Sequence, residues 1–494
     1  MDIARRQWIL LIVLFALSLP AVTARIYSSD EIQYFAYLRS LWFDRDLSFE
    51  NEYQYFYDRG IARSDGYHET FLERTTETGR RINFATLGCA ILWAPFYGAG
   101  DLVARTTGAS VDGYSKPYVA GVAYGSAVYG FLAIVLSILS ARRLGLNAFL
   151  PAIVVWLGTP LLFYMYVAPP FSHACSAFGV ALFIYVWLRV RDTWSTRGLI
   201  ALGAAAALMT MIREQDAFFA VGAALDFAWA RLLVLRGARS DVRGAVGVVA
   251  GIVAFAAAFT PQAAAYLILN GHVGPHSSVG HKMNWAAPHA LQVLFSPEHG
   301  FFVWTPLALI ALVGVLLLPQ AGFLPPEGGN YSEFLPPKGG RNRRILPPEG
   351  GSYKFVRVAS AFRRKEQVAL CLLLMVALQI YIGGSVESWT VAGAFGQRRF
   401  IALTSILIIG VAALTDRLPA SPRQSVKIVA AAVTVLAVYW NLALSAEFAI
   451  GLMDRQKLEP RKNAYDAFVT LPLQGPSLAY RYLFDRASFY KHAP

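Results

Sequence analysis

Charge is what this sequence has least of. Only 15% of its 494 residues are Asp, Glu, Lys or Arg, and 56% are hydrophobic. A soluble domain carries roughly 25% charged residues. Here the deficit gathers in long apolar runs, which excludes a soluble globular domain. Cysteine is scarce too. Cys89, Cys175 and Cys371 lie in separate apolar stretches, with neither metal-ligand spacing nor a disulfide framework. They read as small core residues. The sequence also lacks a Walker loop, a dinucleotide-binding glycine fingerprint and a Gly-x-Ser-x-Gly elbow, so a nucleotide-dependent mechanism has no support. A net charge of +13 does not point to nucleic acid, because Arg and Lys cluster at the ends of the apolar runs, the positive-inside pattern.

What is present is a series of stretches near the ~20 residues that a helix needs to cross a bilayer. Helices satisfy their own backbone hydrogen bonds in lipid, so the expected fold class is an all-α integral membrane protein. The first run is Gln7 to Ala24, preceded by Arg5 and Arg6. It reads as a retained anchor, although Val22-Thr23-Ala24 resembles a signal-peptide cleavage site. Further runs fall at 117–140, 148–166, 171–189, 196–212, 217–236, 243–269, 300–319, 367–384, 399–416 and 426–445. Basic loops alternate between them: Arg142 and Arg143, then Arg189, Arg191 and Arg197, then Arg231, Arg236, Arg239 and Arg243, then 320–366, then Arg417, Arg423 and Lys427. Placing these loops in the cytoplasm gives about eleven spans, N-terminus inside and C-terminus outside. Residues 84–104 are apolar enough to cross but break this parity, so they read as a juxtamembrane or re-entrant helix on the outer side.

Four regions follow from that topology. Residues 1–319 form a transmembrane region with a polar outer loop at 25–83, 320–366 a cytoplasmic insertion, 367–445 the last spans and 446–494 an outer tail. The insertion carries Leu-Pro-Pro-Glu-Gly-Gly at 324–329 and 346–351, and Leu-Pro-Pro-Lys-Gly-Gly at 335–340. Paired prolines and glycines cannot hold a helix. A second outer loop, 270–299, contains His272, His276, His281, His289 and His299. His272 and His276 have helix-face spacing for zinc, but Gly271, Gly274 and Pro275 argue against a helix there, and no metal site is assigned.

Chemistry is expected in the outer loops. After the first run comes Tyr27-Ser28-Ser29-Asp30-Glu31, followed by Ile32, Phe35, Leu38, Leu41 and Trp42 at helical spacing. A helix therefore begins near Asp30, lying along the membrane surface. Ser28 with Glu31 fits a capping box, which leaves Asp30 a place in the first turn near the helix dipole. Adjacent carboxylates just outside a span also suit a general base. The residues alone leave both readings open.

An Asp-Glu pair soon after the first span resembles the GT-C superfamily of membrane glycosyltransferases. The pattern is similar to the protein O-mannosyltransferases, the lipid A aminoarabinose transferases and the bacterial RgtA/B/C/D-like group. Leu92-Trp93-Ala94-Pro95-Phe96, Pro170-Phe171-Ser172-His173-Ala174, Phe295-Ser296-Pro297-Glu298-His299-Gly300 and Gly396-Gln397-Arg398-Arg399-Phe400 resemble segments of the bacterial members. The resemblance implies a GT-C-like helical bundle in a bacterial inner membrane, with its active site on the extracytoplasmic face. It implies an inverting transfer of a sugar from a polyprenyl-phosphate donor to a glycan, lipid or protein acceptor. Asp30 takes the position of the catalytic carboxylate, with Glu31 beside it. The related mannosyl and aminoarabinose transferases carry a basic-Pro-Pro-Leu element where this chain has Arg81-Ile82-Asn83-Phe84-Ala85-Thr86-Leu87, which leaves the acceptor open.

Such chemistry needs cations for the departing lipid phosphate, and guanidinium groups suit phosphate oxygens. Arg398, Arg399, Arg213 and Arg81 are the candidates for the donor phosphate. His173, Lys282 and Trp93 are the candidates for substrate binding. No cofactor is required, and a divalent cation on Asp30 or Glu31 is compatible with the pattern. The alternative is a transporter or flippase of a lipid-linked saccharide, for which Asp226, deep in an apolar run, is the best sign.

Overall fold

A computed structural model describes residues 3–62, 64–235, 242–321, 352–391, 393–417 and 424–489. The three proline-glycine repeats lie outside the described residues. The regular elements described are helical, with isolated antiparallel bridges at Thr75–Arg81 and Met283–Val386. The principal helices are α1 (Ile3–Ser18), α2 (Ser29–Arg39), α3 (Gly88–Thr107), α4 (Lys116–Arg143), α5 (Phe149–Gly158), α6 (His173–Val190) and α7 (Thr196–Ile212). They continue with α8 (Ala220–Leu235), α9 (Val242–Asn270), α10 (Pro306–Leu317), α11 (Ser352–Ser385), α12 (Thr404–Arg417), α13 (Gln424–Ile450) and α14 (Leu471–Phe484).

The expected count of about eleven spans is corrected by the helix lengths. Among the described residues, six helices are long and apolar enough to cross a membrane: Lys116–Arg143, His173–Val190, Gly244–Asn270, Arg364–Ser385, Arg398–Arg417 and Gln424–Ile450. Each coincides with one of the apolar runs. The other five runs fall short for local reasons. The first helix ends at Ser18, before a 3-10 turn carrying Pro20. The run at 148–166 divides at Thr159, whose extended backbone (φ −135°, ψ 162°) precedes Pro160. Thr305 (φ −131°) precedes Pro306 and divides 300–319 in the same way. A residue before proline is pushed out of the helical region. α7 stops at 17 residues where Arg213 turns extended, and a 3-10 turn over Glu214–Phe219 takes up the start of the next run. That leaves α8 with 16 residues up to Leu235, where the described segment ends. The protein is therefore a polytopic membrane protein, with six long apolar helices and several shorter ones among the described residues.

Helix pairs α3–α4, α4–α6, α7–α9 and α10–α12 make the most extensive contacts. Small residues permit them, as is usual between membrane helices. A Cβ on Gly203 would overlap the carbonyl oxygen of Gly251, and one on Gly314 would overlap that of Gly410. Residues 84–104, expected as an outer-side helix, form most of α3, which lies along α4. The expected tail after 445 is helical through much of its described length. α13 runs to Ile450, and α14 returns toward the end of α1, where the Tyr482 hydroxyl donates to the Ala21 carbonyl (2.9 Å).

Candidate functional site

The site begins with a helix cap. Ser28 is extended (φ −126°, ψ 155°), and its Oγ accepts the Glu31 backbone N–H at 3.3 Å. Glu31 reaches back, its Oε2 accepting the N–H groups of Tyr27 (2.8 Å) and Ser28 (3.0 Å). This is a complete capping box. Ile32, Phe35, Ala36, Tyr37 and Leu38 are buried around α2, which packs against α3 and its neighbours. Glu31 is fully buried, and burial pushes its carboxyl up to about 8 against the lowering pull of the two backbone donors. Its carboxylate is thus committed to the backbone. Asp30, one position earlier in the turn, projects the other way. Its side chain is 40% exposed and pairs with Arg398 at 2.7 Å.

Asp30 and Arg398 stand on the wall of a cavity of about 490 Å³ that also takes in His173, Arg213, Lys282 and Arg399. Six side chains proposed from sequence thus meet, carried by five separate segments. Arg213 donates to His173 Nδ1 at 2.7 Å. Guanidinium has only donors, so Nδ1 accepts and the ring proton resides on Nε2. The Arg398 guanidinium lies over the Phe171 ring, 5.3 Å from its centroid. Arg399 is held by Ser388, donating to its carbonyl at 2.8 Å and its Oγ at 3.1 Å. Lys282 rests over Phe84, 4.9 Å from the centroid. The Met283–Val386 bridge ties its loop to the end of α11. Four cations face two carboxylates, Asp30 and Glu214, among the described lining residues. The balance favours an anion, and positioned donors act strongly on developing negative charge.

Three candidates lie elsewhere. Arg81 pairs with Glu50 at 2.8 Å and donates to the Glu73 carbonyl at 3.0 Å. Trp93 is fully buried, its indole N–H donating to Ser126 Oγ at 2.8 Å. Glu31 is the cap already described. Among the described residues, no three His, Cys, Asp or Glu side chains gather as a metal site would need. Asp226 is met by Arg191 through Nε and Nη2 (2.9 and 3.0 Å) and by the Trp187 indole (3.0 Å).

Two residues of the wall were not singled out by sequence reasoning. Ser388 orients Arg399. Glu214 accepts a hydrogen bond from the Tyr266 hydroxyl, and burial raises its carboxyl to about 7. The string Arg213-Glu214-Gln215-Asp216 between two apolar runs was the available signal. Asp216 is buried behind the cavity, accepting from Ser176 Oγ at 2.6 Å, and burial raises it to about 6.

The cap and the free carboxylate separate by mutation. Glu31→Ala should lower stability by about 1–2 kcal/mol through loss of the cap, read as thermal unfolding of the purified protein. Asp30→Asn should leave the unfolding temperature unchanged. Equal losses in both would contradict the division of roles. The cavity should also respond to pH. Glu214 gains its negative charge as pH rises through about 7, which offsets one cation. Affinity for a lipid phosphodiester, whose own charge is constant there, should therefore fall across that range, and Glu214→Gln should flatten the profile. A profile identical in wild type and variant would contradict it.

Compared with protein-family models, curated proteins and solved structures, the chain matches none of them.

Proposed function

We propose that this chain is a membrane glycosyltransferase. It moves a sugar from a polyprenyl-phosphate-linked donor to an acceptor at the extracytoplasmic face of a bacterial inner membrane. One observation carries the reading: a half-exposed carboxylate, Asp30, is paired with Arg398 at 2.7 Å on the edge of a cavity dominated by cations. The sidedness is supported by charge. His173 and Arg398 begin their helices at the cavity, while Arg189, Arg191 and Arg417 sit at the opposite ends, as expected if the cavity faces away from the cytoplasm.

In the transfer, the acceptor hydroxyl attacks the anomeric carbon opposite the phosphate. The new glycosidic C–O bond forms as the bond to the phosphate oxygen breaks, which inverts the centre. Asp30 takes the hydroxyl proton. The lipid phosphate leaves as an anion onto Arg398, Arg399, Arg213 and Lys282. Arg398 touches both partners, since an arriving phosphate competes for its guanidinium and releases Asp30 toward the acceptor. His173, its Nδ1 occupied by Arg213, has Nε2–H to donate. Glu31 holds the helix start that aims Asp30. Transport is less well supported, because Asp226, its best sign, is bound by Arg191 on two oxygens.

The test compares surface glycans and glycolipids by mass spectrometry in wild type, a deletion strain and Asp30→Asn at matched protein abundance. Loss of a general base should reduce transfer by roughly 10²–10⁴-fold, so Asp30→Asn should reproduce the glycan missing in the deletion. A deletion that loses a glycan which Asp30→Asn retains would reject Asp30 as the base and favour transport.

A further inference from the structure

Arg398 and Arg399 reach the Asp30 cavity from an irregular turn that lies outside helix and strand. Gly393 (φ 76°) and Gly396 (φ 58°) both take left-handed backbone there. At Gly396 a Cβ would also lie 2.9 Å from Pro160 Cγ, so only glycine fits. Ala394, Phe395 and Gln397 are buried. Buried backbone groups outside regular structure need partners from elsewhere, and side chains supply them. The Tyr164 hydroxyl donates to the Phe395 carbonyl and accepts the Phe395 N–H, at 3.2 Å each.

His299 meets the turn twice. Its ring Nε2 lies 2.8 Å from the Ala394 carbonyl oxygen. A carbonyl only accepts, so Nε2 carries the proton and donates it. The His299 carbonyl accepts from the Gln397 side-chain amide at 3.3 Å, and that amide also donates to the Trp389 carbonyl at 3.1 Å. Ring and main chain of one residue thus grip Ala394 and Gln397, and Arg398 follows directly. His299 is itself held firmly. It is fully buried, and its ring stacks on Trp304 with 4.6 Å between centroids. The nearby Pro297 carbonyl accepts from the Trp304 indole (3.0 Å) and the Leu458 N–H (2.9 Å). The His299 backbone is left-handed (φ 65°), a conformation that persists in a residue other than glycine where its surroundings over-determine it. Burial pushes the ring down to about 4, so near pH 7 it is neutral and adds no charge beside Arg398.

We propose that His299 is a positioning residue for Arg398 and Arg399, clamping the turn that delivers both guanidinium groups to the cavity. The ligand they serve, a lipid-linked phosphate, rests on the transfer reading above. His299 is not among the residues lining the cavity, so it acts through the arginines and not on the ligand. Its ring bond fixes Ala394 and its carbonyl bond fixes Gln397. From there Arg398 meets Asp30 at 2.7 Å, and Arg399 reaches the Ser388 carbonyl at 2.8 Å. Without the ring donor the buried Ala394 carbonyl is left unmet. The turn then relaxes toward another donor and carries both arginines away from the places where one phosphate meets them.

The experiment measures polyprenyl phosphate binding to the full-length purified protein by native mass spectrometry at one fixed pH. His299→Phe keeps a ring against Trp304 and removes the donor, so affinity should fall by about tenfold or more. His299→Gln restores an N–H at the place of Nε2, and affinity should return to within about twofold of wild type. In an Arg398→Gln/Arg399→Gln background, His299→Phe should lose most of its effect, because that effect passes through these side chains. A full effect in that background, or a His299→Gln variant as weak as His299→Phe, overturns the positioning role. If His299→Phe does not fold, Gln397→Met decides, since it removes the other half of the clamp. It should weaken affinity in the same direction, and wild-type affinity overturns the proposal. If Asp30→Asn keeps transfer while His299→Phe loses binding, the transfer reading fails and the positioning role stands.

Discussion

The placement of Asp30 depends on a hydrogen-bonded ring at the start of α2. Ser28 and Glu31 satisfy each other's backbone N–H groups, and an unmet N–H in so buried a position would cost about 1–3 kcal/mol. The ring fixes the first turn, and the first turn fixes where the residue between them points. Two adjacent carboxylates with the same chemistry are thereby given different surroundings. Glu31 faces inward and holds the chain. Asp30 faces a cavity and is available to a ligand, with Arg398 as its partner.

The rest of the cavity follows from that orientation. Arg398, Arg399, Arg213 and Lys282 are brought to it by the start of one long helix, the end of α7 and a loop tied to α11. Charged groups near lipid are expensive, and in this cluster neutral groups hold Arg213, Arg399 and Lys282, while Arg398 also pairs with Asp30. Arg213 leans on a ring nitrogen, Arg399 on a serine, and Lys282 and Arg398 on aromatic faces. At the other end of α6 the arrangement is reversed, because Arg191 and Asp226 neutralise one another directly. One end of the bundle gathers charge around a cavity, and the other pairs its charge internally.

Much of this was legible in the sequence. The six long apolar helices coincide with six of the runs, because length and hydropathy are local properties. The capping box could be read from Ser28 and Glu31 alone. The five shorter runs were overcounted because hydropathy does not register a break. Thr159-Pro160 and Thr305-Pro306 interrupt helices without interrupting apolarity, and the extended Arg213 gives no hydropathy signal. The sequence could nominate Trp93 and Arg81 by neighbouring motifs, but only packing sends Trp93 to Ser126 and Arg81 to Glu50. The clamp on the turn before Arg398 was illegible for the same reason. His299 and Ala394 are 95 residues apart, and nothing local marks them as neighbours.

The central claim is that Asp30 and Arg398 form the edge of a site for a lipid-linked phosphate. It is tested most directly by measuring polyprenyl phosphate affinity in wild type and in the double variant Asp30→Asn/Arg398→Gln. The double variant removes both partners together, so neither charge is stranded. Affinity in the double variant should be at least tenfold weaker, with an unchanged unfolding temperature. Equal affinity in the two proteins would contradict it.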